Sequence, residues 1–326
     1  MASVGSDALR PVVTALDEQI RLRQKFYDAA VPQAKGRKPG LSVKAARNIW
    51  GELTAGFREA STSKHDSLRV RADDPTRAVQ PPNSDDAREQ TALYPSEILA
   101  LLDCDAVPQR RRVLYAVAAY AGLRAGELRA LTPEALDMEH DVINVRRQSR
   151  AGKATARTKT RAGRRQVPIE PALRPLLAAL LARTAPSQPL LHLPPPEDCA
   201  ELVRKDLRAA GCTRDELYAD DGARQQFTFH GLRHTCLTHW AVAGRPLQWL
   251  LVAAGHTSYE VTQRYIDQAM VLRTSFGIAH PPLPPRLLGA HSPQSEPQSG
   301  AGCAANNLES LSNFATPTGI EPVLPT

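Results

Sequence analysis

The chain has 326 residues, a hydrophobic share of 42%, and a net charge of +7 from 41 Lys and Arg against 34 Asp and Glu. That length suits two domains, and the excess of cations points to an anionic partner, nucleic acid first. Its five cysteines, Cys104, Cys199, Cys212, Cys236 and Cys303, are odd in number and form no C-x-x-C pair, which excludes a disulfide framework or zinc knuckle.

The start lacks a charged stretch followed by an apolar one, so no secretory signal is expected. No run of about 18 apolar residues occurs, so no membrane span is expected and the compartment is read as cytoplasmic. In chain order, Val13, Leu16 and Ile20 share one face of a helix predicted over Arg10–Leu22. Lys35-Gly-Arg-Lys-Pro-Gly40 reads as a basic loop, either a solvated loop of a small helical domain or one that touches phosphates. Ser42 is placed to cap a second helix, in which Ala46, Ile49, Leu53, Phe57 and Ala60 recur at helical spacing. From about Asp73 to Glu89 periodicity fails among Pro75, Pro81, Pro82 and Asn83, the signature of a linker.

A second domain begins near Tyr94 with a helix at Ile98–Leu102, then another from about Arg110 to Tyr120 that stops at Gly122. Thr132-Pro-Glu reads as a helix start. The period then changes: Asp141–Val145 and Gln166–Ile169 read as strands, with residues 154–160 as a third and a turn at Arg161-Ala-Gly163. Helices return over Pro171–Ala182, Ala200–Ala210, Gly231–Ala243, Pro246–Ala254 and Tyr259–Met270, several closed by Gly. A last helical stretch is expected over about Asp267–Phe276. From Pro281 onward Pro, Ser, Gln, Gly and Asn dominate without amphipathic pattern, which predicts a disordered tail. The fold class is therefore mainly α with a small antiparallel β-sheet. The boundaries are a helical domain over 1–82, a linker over 83–93, a second domain over 94–280 and a tail over 281–326.

Five segments stand out as chemistry. Arg124 in Gly122-Leu-Arg-Ala-Gly-Glu-Leu128 falls between two helices, with Glu127 three residues on to hold it. Lys159 stands in Thr158-Lys-Thr160 beside a hairpin turn, with Lys153 as its rival among only eight lysines. His230 and Arg233 share a face at a helix start in Phe229-His-Gly-Leu-Arg-His234, as an anion site requires. His256 follows the helix-ending Gly255, and Tyr265 comes nine positions later. His230, His234 and His239 recur with Cys236 beside them, but H-E-x-x-H spacing and a fitting carboxylate are both absent, so no zinc site is expected.

Taken singly these are ordinary surface or core residues. Together, GLRAGELRAL, TKTRAGRRQVPI, FHGLRHTCLTHW and AAGHTSYEVTQRYI resemble the tyrosine recombinase (phage integrase) family in order and spacing, over roughly Tyr94–Phe276. The resemblance prefers Lys159 to Lys153, because Lys159 holds the family's position before the RRQVPI strand. It implies a catalytic set of Arg124, Lys159, His230, Arg233, His256 and Tyr265, with Tyr265 as nucleophile, in a site-specific recombinase or integrase of a phage or other mobile element. It also implies a core-binding domain at the start, here in a short form such as truncation gives. The implied partners are double-stranded DNA attachment sites, a homotetramer on two duplexes and accessory DNA-bending proteins, with no membrane, no cofactor and no metal. The same chemistry serves DNA-relaxing enzymes of the type IB topoisomerase class, and a DNA-binding regulator without catalysis is a third reading. The complete set of six speaks against the regulator.

Overall fold

The computed structural model describes residues 4–28, 39–82, 89–149, 156–157, 163–221, 223–272 and 276–289. The chain divides into two compact units, one made of 1–92 with 214–234, the other of 93–213 with 235–326.

In the first unit, α1 (Ser6–Asp28) and α2 (Val43–Thr62) pack on each other. Ser42 caps α2, its hydroxyl accepting from the Ala45 N–H at 3.1 Å. The core is Leu9, Leu16, Ile20, Ala46 and Trp50, with Val13, Leu53 and Phe57 against it. The buried stripe of α2 thus runs 46, 50, 53, 57. Ile49, expected inside, is 47% exposed, and Trp50 takes its place one position on. The expected linker is folded at its start: Asp74 caps a 3₁₀ turn at Pro75–Ala78 whose Pro75 and Thr76 are buried. At its end, β1 (Glu89–Gln90) pairs in parallel with β7 (Arg224–Gln225). The basic residues Lys35 to Lys38 lie outside the described residues.

The second unit opens with α3 (Pro95–Asp103) and α4 (Gln109–Ala121). From Arg112 to Ala121 every residue of α4 is buried, as befits a helix enclosed by its own domain. Three of its polar side chains find partners inside the protein. The Tyr115 hydroxyl and the Arg111 Nε both donate to Asp206, each at 2.7 Å, and the Tyr120 hydroxyl donates to the Pro281 carbonyl at 2.7 Å. Asp206 belongs to α7 (Pro196–Ala209), so this triad ties α4 to α7.

After α5 (Ala125–Arg129), the helix expected at Thr132-Pro-Glu is a single 3₁₀ turn, Pro133–Ala135, that runs straight into strand. The antiparallel sheet is β2 (Leu136–Asp137), β3 (Val142–Val145) and β6 (Arg165–Pro168), in that order. Ile143 faces Val167 across it, both fully buried, and the alternation of buried and open positions is that of a half-covered sheet. A second small pairing joins β4 (Arg147–Gln148) to β5 (Ala156–Arg157).

α6 (Arg174–Arg183), α8 (Gly231–Val242), α9 (Leu247–Ala254) and α10 (Tyr259–Leu272) complete the helical part. The division between units falls inside α8, after His234. No separate helix starts at Asp267; α10 itself continues to Leu272, and Phe276 returns to the core against Tyr94 and His239. The tail expected from Pro281 is folded at first: Leu283 and Leu287 are buried, and α11 (Pro285–Gly289) packs on α3, α4 and α6. Composition misled here because two leucines suffice to anchor a Pro-rich segment.

Candidate active site

Arg124 is aimed by two chain breaks. α4 ends at Gly122, whose φ of 59° suits glycine, and a Cβ there would meet the Cys236 Sγ at 3.1 Å. Two residues later Arg124 is the N-cap of α5 in extended conformation. Glu127, in the first turn of α5, reaches back so that its Oε2 accepts the Arg124 N–H at 2.8 Å. The Arg124 Nη1 donates to Glu127 Oε1 at 3.1 Å and its Nη2 to the Gly255 carbonyl at 3.0 Å.

Beneath lies Arg165, the first residue of β6. Its Nη1 and Nη2 donate to the two oxygens of Glu127 at 2.8 and 2.9 Å, and its Nε donates to the Ala253 carbonyl at 2.7 Å. The Glu127 and Arg165 side chains are 4% and 3% exposed, and Arg124 is 39% exposed. Burial alone would push the Glu127 carboxyl up. The Arg165 hydrogen bonds and charge, with Arg124 behind them, outweigh it and hold the group below its ordinary value. Two guanidiniums against one carboxylate leave net positive charge, and the cation that reaches the surface is Arg124.

His256 and Tyr265 meet at the next junction. α9 closes at Gly255, which is left-handed with φ of 63°, and the chain turns through His256 into α10. Thr262 and Tyr265 lie one turn apart on the buried face of α10. The His256 Nδ1 is 3.0 Å from the Thr262 hydroxyl. The His256 ring stacks on that of Tyr265 with centroids 6.2 Å apart and planes 19° from parallel. Arg124, His256 and Tyr265 are thus one connected group, since Arg124 holds the carbonyl of the residue before His256.

His230 and Arg233 open α8 in the other unit. The first turn is closed by N–H bonds from Arg233 and His234 to the His230 carbonyl, at 3.0 and 3.2 Å. Gly231 lies against Phe227, where a Cβ would come within 2.5 Å of the ring. Arg233 is 2% exposed, while His230 is exposed with its ring edge-on to His234. Lys159 and its rival Lys153 lie outside the described residues, beyond either end of β5.

Two contributors, Arg165 and Thr262, were not singled out from sequence. Arg165 stands next to Arg164 in an Arg-rich stretch, and nothing beside Thr262 marks it as the partner of His256. Glu127 was noted as a partner of Arg124, but not as the hub between two arginines. Two other tyrosines are otherwise engaged: burial pushes the phenols of Tyr115 and Tyr120 up, and both donate to fixed acceptors. His239 uses both ring nitrogens, Nδ1 accepting from the His280 N–H at 2.9 Å and Nε2 therefore donating to the Leu93 carbonyl at 3.1 Å. Among the described residues no three His, Cys, Asp or Glu side chains cluster as a metal site would.

A family model described as the phage integrase family matches residues 91–271, a span that takes in all six sequence-predicted positions. The fold is similar to that of the Tn1549 transposon integrase in complex with transposon right end DNA, with a TM-score of 0.53, 20% identity, and coverage of 84% of this chain and 88% of that one. Lambda integrase bound to a core site gives a TM-score of 0.49 at 16% identity, covering 81% of this chain and 80% of that one. XerA recombinase gives 0.41 at 18% identity, covering 80% and 95%. Curated protein sequences give no match.

Proposed function

Because the chain belongs to the phage integrase family, the site-specific tyrosine recombinases, we propose that it cleaves and rejoins DNA through a 3′-phosphotyrosyl bond at Tyr265. The observation that carries this reading is the stack of Tyr265 on His256, beside the exposed cation of Arg124.

The chemistry follows from the residue types. A tyrosine hydroxyl, with a pKa of about 10, is a weak nucleophile at neutral pH, and neighbouring cations favour its phenolate. The Tyr265 oxygen attacks the scissile phosphorus, and the bond from phosphorus to the 5′-oxygen breaks. Arg124 and Arg233, with planar forks suited to phosphate, take the charge that builds on the non-bridging oxygens. Lys159 gives the departing 5′-oxygen its proton, His230 manages the proton of Tyr265, and His256 donates a hydrogen bond to the phosphate. A 5′-hydroxyl of a second strand then attacks the phosphotyrosine and restores the backbone. The bond energy stays in the covalent link, so the cycle needs no ATP.

On this reading the partners are double-stranded attachment sites of a phage or other mobile element. The protein acts in the cytoplasm as a homotetramer on two duplexes, with accessory DNA-bending proteins able to join. The 1–82 segment serves as a core-binding domain. Among the described residues no helix is long and apolar enough to cross a membrane. Sequencing integration junctions from cells carrying the element supplies the crossover site. Recombination between two plasmid-borne copies of that site supports the proposal. Relaxation of a supercoiled plasmid lacking the site, without recombination, would instead favour the topoisomerase reading.

A further inference from the structure

We infer that Arg165 is a positioning residue for strand cleavage, keeping Arg124 available to phosphate by competing with it for Glu127. The inference rests on the recombinase reading above.

Arg165 cannot itself reach DNA: its side chain is 3% exposed. Each of its three guanidinium nitrogens donates inside the protein, two to Glu127 and one to the Ala253 carbonyl. Those contacts join three segments. β6 begins six residues after Lys159 in the sequence, α5 is capped by Arg124, and Ala253 lies in the last turn of α9 before Gly255 and His256. One buried guanidinium therefore fixes the spacing of the Arg124 and His256 junctions.

The charge argument is sharper. Each Glu127 oxygen accepts one bond from Arg165 and one from Arg124: Oε1 from Arg165 Nη1 and Arg124 Nη1, Oε2 from Arg165 Nη2 and the Arg124 backbone N–H. With the carboxylate shared in this way, Arg124 donates to it through one guanidinium nitrogen only, and the two guanidiniums together keep one net positive charge. Without Arg165, the buried carboxylate keeps Arg124 as its ion-pair partner among the described residues. It turns fully to Arg124, draws that fork inward and neutralises it. A lysine at 165 keeps the charge but cannot bridge both oxygens and the Ala253 carbonyl in one plane.

The test uses the full-length protein and a nicked suicide duplex carrying the crossover site recovered from integration junctions. Single-turnover adduct formation, DNA affinity and thermal midpoint are measured for wild type, Arg165→Lys, Arg165→Met and the double variant Arg165→Met with Glu127→Gln. Arg165→Lys is expected to fold and to bind DNA as wild type does, with cleavage slowed between about ten- and a hundredfold. Arg165→Met is expected to lose more, and adding Glu127→Gln is expected to restore part of the rate, because the amide no longer neutralises Arg124. Arg165→Lys cleaving at the wild-type rate would overturn the inference. So would a double variant slower than Arg165→Met, the result for a merely structural ion pair. Absence of adduct from wild type itself would remove the recombinase reading and the inference with it.

Discussion

The imidazole of His256 lies against the phenol of Tyr265, 6.2 Å between centroids and 19° from parallel, with the Thr262 hydroxyl on its Nδ1. Stack and hydrogen bond together fix the plane of His256. For Nε2 to donate to a phosphate from a neutral ring, Thr262 must donate to Nδ1.

Thr262 is fully buried, so a valine fits its space and lacks only the hydroxyl. Thr262→Val is expected to slow single-turnover cleavage roughly tenfold, the worth of one hydrogen bond, with DNA affinity unchanged. Thr262→Ser is expected to restore the rate. Equal rates for the valine and serine variants would mean that the hydroxyl does not set the ring.

Acid should weaken the unit that holds His239 before most carboxylates titrate. Burial lowers the pKa of His239 from 6.5 to about 4 and that of the neighbouring His280 also falls well below its ordinary value. Between those limits the unfolded chain binds more protons than the folded one, so stability falls as pH falls from about 6.5 towards 4. For His239 alone the loss between pH 7 and 5 is roughly 2 kcal/mol. Glu127, whose folded pKa is depressed, adds a further loss only at lower pH, as the medium passes below 4.5. His239→Gln can still donate to Leu93 and accept from His280, so its thermal midpoint should vary less between pH 7 and 5. Parallel pH profiles for wild type and this variant would contradict the assignment of a buried neutral histidine.

Tyr115 and Tyr120 serve structure. Tyr115→Phe removes one of the donors to buried Asp206 and should cost about 1–2 kcal/mol in denaturant unfolding. Both Tyr115→Phe and Tyr120→Phe should still form the covalent adduct. Loss of adduct in either, with the fold intact, would break the distinction drawn between these phenols and Tyr265.

Much of this was legible because local rules govern it. Gly122 and Gly255 announce helix ends, Ser42 announces a start, and the alternation in Asp141–Val145 announces a strand. The junction positions of Arg124 and His256 follow directly. What stayed hidden depends on partners distant in sequence. Nothing near Arg165 signals that Glu127, 38 residues away, is its counterion. Nothing near Glu89 signals that its strand partner is Arg224. Ile49 and Trp50 are both apolar and adjacent, and only the direction from which α1 packs decides which is buried. Pro-rich composition concealed α11, because a short helix anchored by Leu287 needs no periodic pattern.

The most direct test is covalent capture. Wild type and Tyr265→Phe are each incubated with the nicked suicide duplex, and the adduct is digested and mapped by mass spectrometry. Wild type should yield a phosphotyrosyl nucleotide on the peptide containing Tyr265, and Tyr265→Phe should yield no adduct while still binding the duplex. An adduct that persists in Tyr265→Phe, or that maps to another residue, would contradict the assignment on which the whole site is built.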